Sequence, residues 1–267
     1  MNSTHVGVGN YYIIISTNNT WNIVTSLLLD LELLRILLSF TMLFIAAIID
    51  VRNKAVSDWL WIAFIIIAAI VYVFDFPAHD EQLSVIISIT TAGLLSFIIY
   101  KLGFFGGADA LALFTLSLIM PTYDQRFRLI EGDLYLPFVP YIVLTNALVT
   151  SMIQIIINIT RNLFSCLRHE DLFKGFEHEP VRNKVIAFAI GYKSKSSKFT
   201  FPLEKSLDGR KTFDFKLKNI ESTEYESRDG VWVTPAIPFL VYLLAGFVIM
   251  LIAGNILEVL LGGLLRL

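Results

Sequence analysis

Six times along this chain, charge all but vanishes over a stretch approaching the length that a helix needs to cross a bilayer. The stretches run from about Leu31 to Ile49, Trp59 to Phe74, Leu83 to Tyr100, Ala110 to Met120, Leu134 to Ile157 and Pro235 to Leu265. A spanning helix takes roughly 20 mostly apolar residues. In lipid every backbone N–H and C=O must be satisfied within the chain, so runs like these fold as helices. The fold class that follows is a polytopic α-helical membrane protein with six transmembrane helices. Composition agrees: of 267 residues, 55% are hydrophobic and only 16% are charged, leaving a surface that must largely face lipid. The fourth run is the awkward one. It stops at Pro121 after about eleven apolar residues, too few to cross at ~1.5 Å per residue, so either residues 103–108 belong inside the membrane or the helix continues past the proline.

Between the fifth and sixth runs, residues 158–234 hold 14 of the 21 Lys and Arg and 11 of the 23 Asp and Glu. This is a water-facing domain. Alternation in Phe213-Asp214-Phe215-Lys216-Leu217-Lys218, with Phe199-Thr200-Phe201 and Val231-Trp232-Val233, predicts a small β-rich module of about four strands. Turn signals stand at Ser194 to Ser197 and at Asp208-Gly209. With so few apolar residues, the module is expected to lean on the membrane helices. The organisation is then an extension over residues 1–30, five helices over 31–157, the soluble domain over 158–234 and a sixth helix over 235–267.

Loop charge sets the orientation. Arg52 and Lys54 follow the first run, Lys101 follows the third, and the large domain is net positive, whereas Asp75, Asp80, Glu81, Asp124, Glu131 and Asp133 dominate the loops after the second and fourth. The positive-inside rule puts the former loops and the domain in the cytoplasm of a multi-pass plasma-membrane protein, and both termini outside. Sequons at Asn2 and Asn18 fall in the outside extension and carry no weight alone. A net charge of −2 gives no basic field for nucleic acid. The lone Cys166 excludes an intrachain disulfide, and four scattered histidines give no zinc-ligand spacing, so neither a metal nor a cofactor is expected.

The same topology places Asp50, ending the first run, and Asp109, opening the fourth, on the cytoplasmic face. A carboxylate at the edge of lipid loses hydration and is costly without a purpose. Taken singly, Asp50 reads equally well as a polar residue at a helix end and Asp109 as the N-cap of the fourth helix. Asp58, just ahead of Trp59-Leu60-Trp61, reads as the N-cap of the second. Two acids facing each other fit peptide hydrolysis by a pair sharing one proton, in which one carboxyl takes a proton from water while the other donates to the scissile carbonyl. Gly106, Gly107 and Ala108 lead into Asp109 and would let backbone or substrate approach closely. Arg52 and Lys54 anchor the topology and are placed to tune the pair. The competing class is a transporter or channel subunit in which Asp50 and Asp109 bind a cation or relay protons. It predicts an internal repeat, and the motifs are not duplicated.

The segment Asp50-Val51-Arg52-Asn53-Lys54-Ala55-Val56-Ser57-Asp58-Trp59, followed by Gly106-Gly107-Ala108-Asp109-Ala110-Leu111, resembles the type IV prepilin peptidases, most closely their archaeal preflagellin peptidase branch, within the GxGD membrane aspartyl proteases. The resemblance covers the first four helices and implies that Asp50 and Asp109 are the catalytic aspartates. Ala108 replaces the second glycine of GxGD, a departure that leans towards the archaeal branch. The implied substrates are preflagellin or prepilin precursors, cut at the cytoplasmic boundary after a short basic leader. Bacterial members often carry paired CxxC zinc motifs and a methyltransferase activity; one cysteine argues against both here. Acids at Glu170, Asp171, Glu177 and Glu179 are candidates to bind a basic leader.

Overall fold

The structure, a computed structural model, describes residues 6–8, 11–13, 20–103, 105–123, 138–194, 199–207, 210–215, 225–226 and 228–258. The sequons at Asn2 and Asn18, the charged loop from Asp124 to Asp133, the strand residues Lys216 to Lys218, the turn residues 195–198 and Asp208-Gly209, and the last part of the sixth run lie outside these residues. The chain divides into two units, residues 1–37 and 38–267. In the first, β1 (Val6–Val8) and β2 (Tyr11–Ile13) pair antiparallel.

Helix α1 covers Thr20–Asn53 and overruns the expected end at Ile49. No helix breaker stands in Asp50-Val51-Arg52-Asn53, so Asp50 belongs to the last turn instead of following it. Lys54 stops the helix by taking a left-handed backbone, φ 55°, while its N–H still reaches the Asp50 carbonyl at 3.0 Å. Helix α2 is Asp58–Phe74, and its N-cap is Ser57. Asp58 is therefore the first helical residue, not the cap, and its charge complements the positive helix start. Helix α3 is Gln82–Lys101. It closes through Gly103, φ 70°, whose N–H bonds the Tyr100 carbonyl at 3.0 Å, a position where a Cβ would be strained.

Helix α4, Gly107–Ile119, is 13 residues long, roughly 20 Å at 1.5 Å per residue. It does not continue past Pro121: Thr122 instead bridges Phe138, and the Pro121 carbonyl accepts the Val139 N–H at 3.2 Å and the Ser88 hydroxyl at 2.7 Å. Six of its residues, Ala112, Leu113, Thr115, Leu116, Ser117 and Ile119, are buried, which makes it the central helix, packed against α2 and α3.

Helix α5 (Val139–Ser151) passes through Met152 into α6 (Ile153–Leu167), well beyond the boundary expected at Asn158. The polar residues that marked the start of a soluble domain are the inward face of a helix. Asn158 donates to the Ala189 carbonyl at 3.4 Å, and Asn162 donates to the Phe188 and Gly191 carbonyls at 2.8 and 2.7 Å. Those carbonyls lie at the end of α7 (Val181–Ile190), a helix that the sequence reading did not anticipate.

The strand-bearing region is small. β3 (Tyr192–Lys193), β7 (Trp232–Pro235) and β4 (Thr200–Pro202) form an antiparallel sheet in the order β3-β7-β4, and β5 (Glu204–Leu207) pairs with β6 (Arg210–Phe213). Two of the three expected strands correspond to β4 and β7. The third does not: the strand ends at Phe213, where alternation was expected to begin, and Asp214 and Phe215 lie outside it. The module also has its own core of Leu172, Phe176, Ala187, Leu203, Phe213 and Trp232. Phe173 stacks on Trp232 at 5.2 Å, Phe176 on Phe213 at 4.3 Å, and the indole N–H of Trp232 is satisfied by the Leu172 carbonyl at 3.1 Å. Each such buried side chain contributes roughly 1.5–3 kcal/mol.

Helix α8 is Phe239–Ala253 and lies tightly against α5. A Cβ on Gly246 would stand 2.5 Å from the Val143 carbonyl oxygen and 2.9 Å from the Ala147 nitrogen. Fully buried Asn146 of α5 clamps the far end, donating to the Gly246 and Gly254 carbonyls at 3.2 and 2.9 Å and accepting the Ile256 N–H at 2.9 Å. Three helices, Leu31–Asn53, Gln82–Lys101 and Val139–Leu167, are long and apolar enough to cross a membrane; Asp58–Phe74, Gly107–Ile119 and Phe239–Ala253 are apolar but shorter.

Candidate active site

Asp50 stands in the last turn of α1, an unfavourable place for an anion because the helix dipole there is negative. The start of another helix offsets this: the Leu240 N–H, in the first turn of α8, hydrogen-bonds the Asp50 carboxylate. Asp109 is the third residue of α4 and accepts the Gly106 N–H on Oδ2 at 3.2 Å, so its part in capping is played from inside the helix instead of from the N-cap position. The two carboxylates are near enough to interact by charge. Two helix N-termini thus point at one pair of acids.

Both acids line one cavity of about 1380 Å³. Gly106, Gly107 and Ala108 form the wall beside Asp109. Gly106 has an ordinary extended backbone (φ −68°, ψ 161°), and a Cβ there would lie 3.6 Å from Asp109 Oδ2. What glycine supplies is open space next to the carboxylate, not conformational freedom. On the far side the strand-bearing region forms a roof: Phe201, Pro202, Asp214, Phe215, Tyr225 and Ile237 face the same space. Tyr225 is close enough to Asp50 that the carboxylate, after burial, holds its phenol above the usual range.

Lys54 also lines the cavity and interacts with both aspartates; burial pulls its ammonium below the ordinary lysine range, and the two carboxylates oppose that pull. Among the described lining residues it carries the only formal positive charge. A lysine in the left-handed region costs about 1–2 kcal/mol that glycine would not, the kind of local cost that persists where a side chain has a task. Lys54→Gly is therefore expected to raise the melting temperature in detergent while slowing turnover severalfold. A variant gaining stability with undiminished activity would show that the ammonium has no role.

The other residues singled out by sequence fall elsewhere. Arg52 is exposed and outside the cavity. None of Glu170, Asp171, Glu177 and Glu179 lines it. Glu179 is buried and accepts from the Phe213 N–H at 3.1 Å and Asn183 at 2.7 Å, and exposed Glu177 accepts the Gly175 N–H at 2.9 Å, which holds its carboxyl below the usual range. Among the described residues, the acids that do face the cavity are Asp50, Asp58, Asp109 and Asp214. Among the described residues, no cluster of three or more His, Cys, Asp or Glu is arranged to hold a metal ion.

Residues 37–157, which include both aspartates and α2 to α5, match the model of the type IV leader peptidase family, and residues 181–256 match the archaeal peptidase A24 C-terminus, type II. Over most of its length the chain is similar to the type IV leader peptidases. This peptidase is also similar to two proteins named preflagellin peptidase. The one from Methanocaldococcus jannaschii is 26% identical over 217 residues, covering 77% of this chain and 88% of that protein. The one from Methanococcus voltae is 22% identical over 220 residues, covering 77% and 89%. The peptidase is thus a membrane protease, with its family match running through the helices that carry the acid pair and resuming in the region that roofs it.

Proposed function

We propose that the peptidase is an aspartyl endopeptidase that removes short basic leaders from preflagellin or prepilin-like precursors at the cytoplasmic boundary of a six-span membrane fold. The observation that carries this reading is the pairing of Asp50 and Asp109 on one cavity, each held by a backbone N–H at a helix start. Two carboxyls that interact by charge do not both ionise readily, so the pair retains one proton. The ionised member takes a proton from water as the water oxygen bonds to the scissile carbonyl carbon. The protonated member gives its proton to the carbonyl oxygen. As the C–N bond breaks, one carboxyl gives a proton to the leaving amine while the other takes one back from a hydroxyl of the tetrahedral intermediate, so the pair regains its starting state. The positive starts of α4 and α8 stabilise the negative charge that the pair must keep throughout.

The cavity exceeds the roughly 300–1,000 Å³ typical of small-molecule pockets, in keeping with an extended polypeptide. Apolar walls at Phe97, Tyr100 and Phe114 suit the start of the precursor's hydrophobic helix, and Asp58 and Asp214 supply negative charge for the leader. The basic loop residues Arg52, Lys54 and Lys101 support the cytoplasmic placement. The test is to incubate membranes bearing the full chain with a precursor that has a basic leader before an apolar helix, and to read the mature N-terminus by mass spectrometry. A single cut between leader and helix is expected; an uncut precursor would overturn the reading.

A further inference from the structure

A second cavity, of about 590 Å³, lies between α6 and β3. Its polar wall is cationic: Arg161, Arg168 and Lys193. Arg161 lies in α6 and Arg168, seven residues on, is its C-cap, so the two stand on one side of the helix about 10 Å apart along its axis at 1.5 Å per residue, and Lys193 approaches from β3. Among the described residues, no acidic one lines the space and no carboxylate forms a salt bridge with any of the three. The Arg161 guanidinium is held in place by stacking on the Tyr192 ring, 3.6 Å from its centroid, and the Lys193 ammonium rests on the Asp171 carbonyl at 3.5 Å. The other wall is apolar: Ile156, Ile157 and Phe164 line it, each at least half exposed.

Depth decides what can meet both walls. The continuous apolar segment Val139–Leu167 is 29 residues long, about 43 Å as helix, against a hydrocarbon core of about 30 Å. If it crosses the bilayer, one end must reach the headgroup layer. Arg161 lies in its last two turns and Arg168 just past its end, with Ile156 and Ile157 one turn deeper. Cations at headgroup level above an exposed apolar strip match an amphiphile with an anionic head and hydrocarbon tails.

We propose that this groove is a specific site for an anionic phospholipid, with the phosphate held by Arg161, Arg168 and Lys193 and the acyl chains laid along Ile156, Ile157 and Phe164. A free phosphate would use the cations but leave the apolar wall uncovered, and a neutral lipid would leave the cations uncompensated. Since α6 also carries Asn158 and Asn162, which hold the end of α7, a lipid seated here braces the junction between the membrane helices and the roof of the first cavity. None of this depends on the peptidase chemistry.

The full chain, purified in a neutral detergent, is titrated with short-chain phosphatidylglycerol, with phosphatidylcholine of the same chain length, and with inorganic phosphate, and the melting temperature is followed. Phosphatidylglycerol is expected to stabilise saturably and the other two not. At roughly fivefold per basic residue near a membrane surface, the Arg161→Gln/Arg168→Gln variant should need about 25-fold more of it. An Arg182→Gln/Arg210→Gln control, with both changes at exposed positions outside the groove, should match the parent. Equal affinity in the groove variant, equal stabilisation by phosphatidylcholine, or full stabilisation by phosphate alone would each overturn the proposal. If the double variant does not accumulate, Arg168→Glu, at an exposed residue with no described side-chain bond, serves instead: weakened binding supports the site and unchanged binding overturns it.

Discussion

Asp109→Asn is expected to lower leader cleavage by about 10³-fold while the protein accumulates in the membrane at the parental level. Asparagine matches aspartate in shape and keeps an oxygen that can accept the Gly106 N–H now bonded at 3.2 Å, so the start of α4 should survive. What is lost is the titratable proton. Asp50→Asn should behave alike, since its oxygen can still accept from Leu240. The check pairs the rate of precursor conversion with the amount of protein by immunoblot. Loss of activity in step with loss of protein would point to a structural role for these acids, and retained activity would favour a reading in which they bind ions.

Gly246→Leu is expected to act through packing and with comparable force on activity. Its Cβ would fall 2.5 Å from the Val143 carbonyl oxygen and 2.9 Å from the Ala147 nitrogen, and backbone atoms of a packed helix cannot rotate aside as a side chain can. Helix α8 must then shift from α5, which costs about 3 kcal/mol or more and strains the three hydrogen bonds of Asn146. Displacement of α8 also removes the Leu240 N–H from Asp50, so cleavage should fail even in the fraction that remains folded. Gly106→Ala is the contrasting case, because its Cβ finds only the Asp109 carboxylate, at 3.6 Å. It should fold normally. Thermal unfolding in detergent separates the two, and a Gly246→Leu protein as stable as the parent would contradict the packing described here.

The helices were legible because apolar runs near membrane length have few alternatives, and the acid pair because Asp50 and Asp109 stand at the edges of two such runs within a recognisable motif. Other features left weaker traces. Asn158 and Asn162 read as the start of a soluble domain, since polarity alone does not tell a water-facing residue from one bonding buried carbonyls. Helix α7 was missed because Arg182 and Lys184 interrupt its apolar positions. The N–H of Leu240 is a backbone donor and carries no side-chain signal at all. Phe201, Asp214 and Tyr225 reach the cavity from segments far along the chain, and only tertiary structure brings them to the space that Asp50 lines. The acids between Glu170 and Glu179 drew attention as a cluster, yet Glu179 is committed to Phe213 and Asn183. Lys54 was noted for its charge, while its left-handed backbone, the more telling feature, has no sequence signature in a lysine.

The central claim is that Asp50 and Asp109 work as one unit on a leader peptide. The most direct test is a double-mutant cycle on leader cleavage: parent, Asp50→Asn, Asp109→Asn and the double variant, assayed in membranes at matched protein levels. Groups that share a single proton-transfer step lose their combined effect when either is removed. The double variant is predicted to be no slower than the slower single variant, whereas losses that multiply, each aspartate contributing independently, would contradict the account.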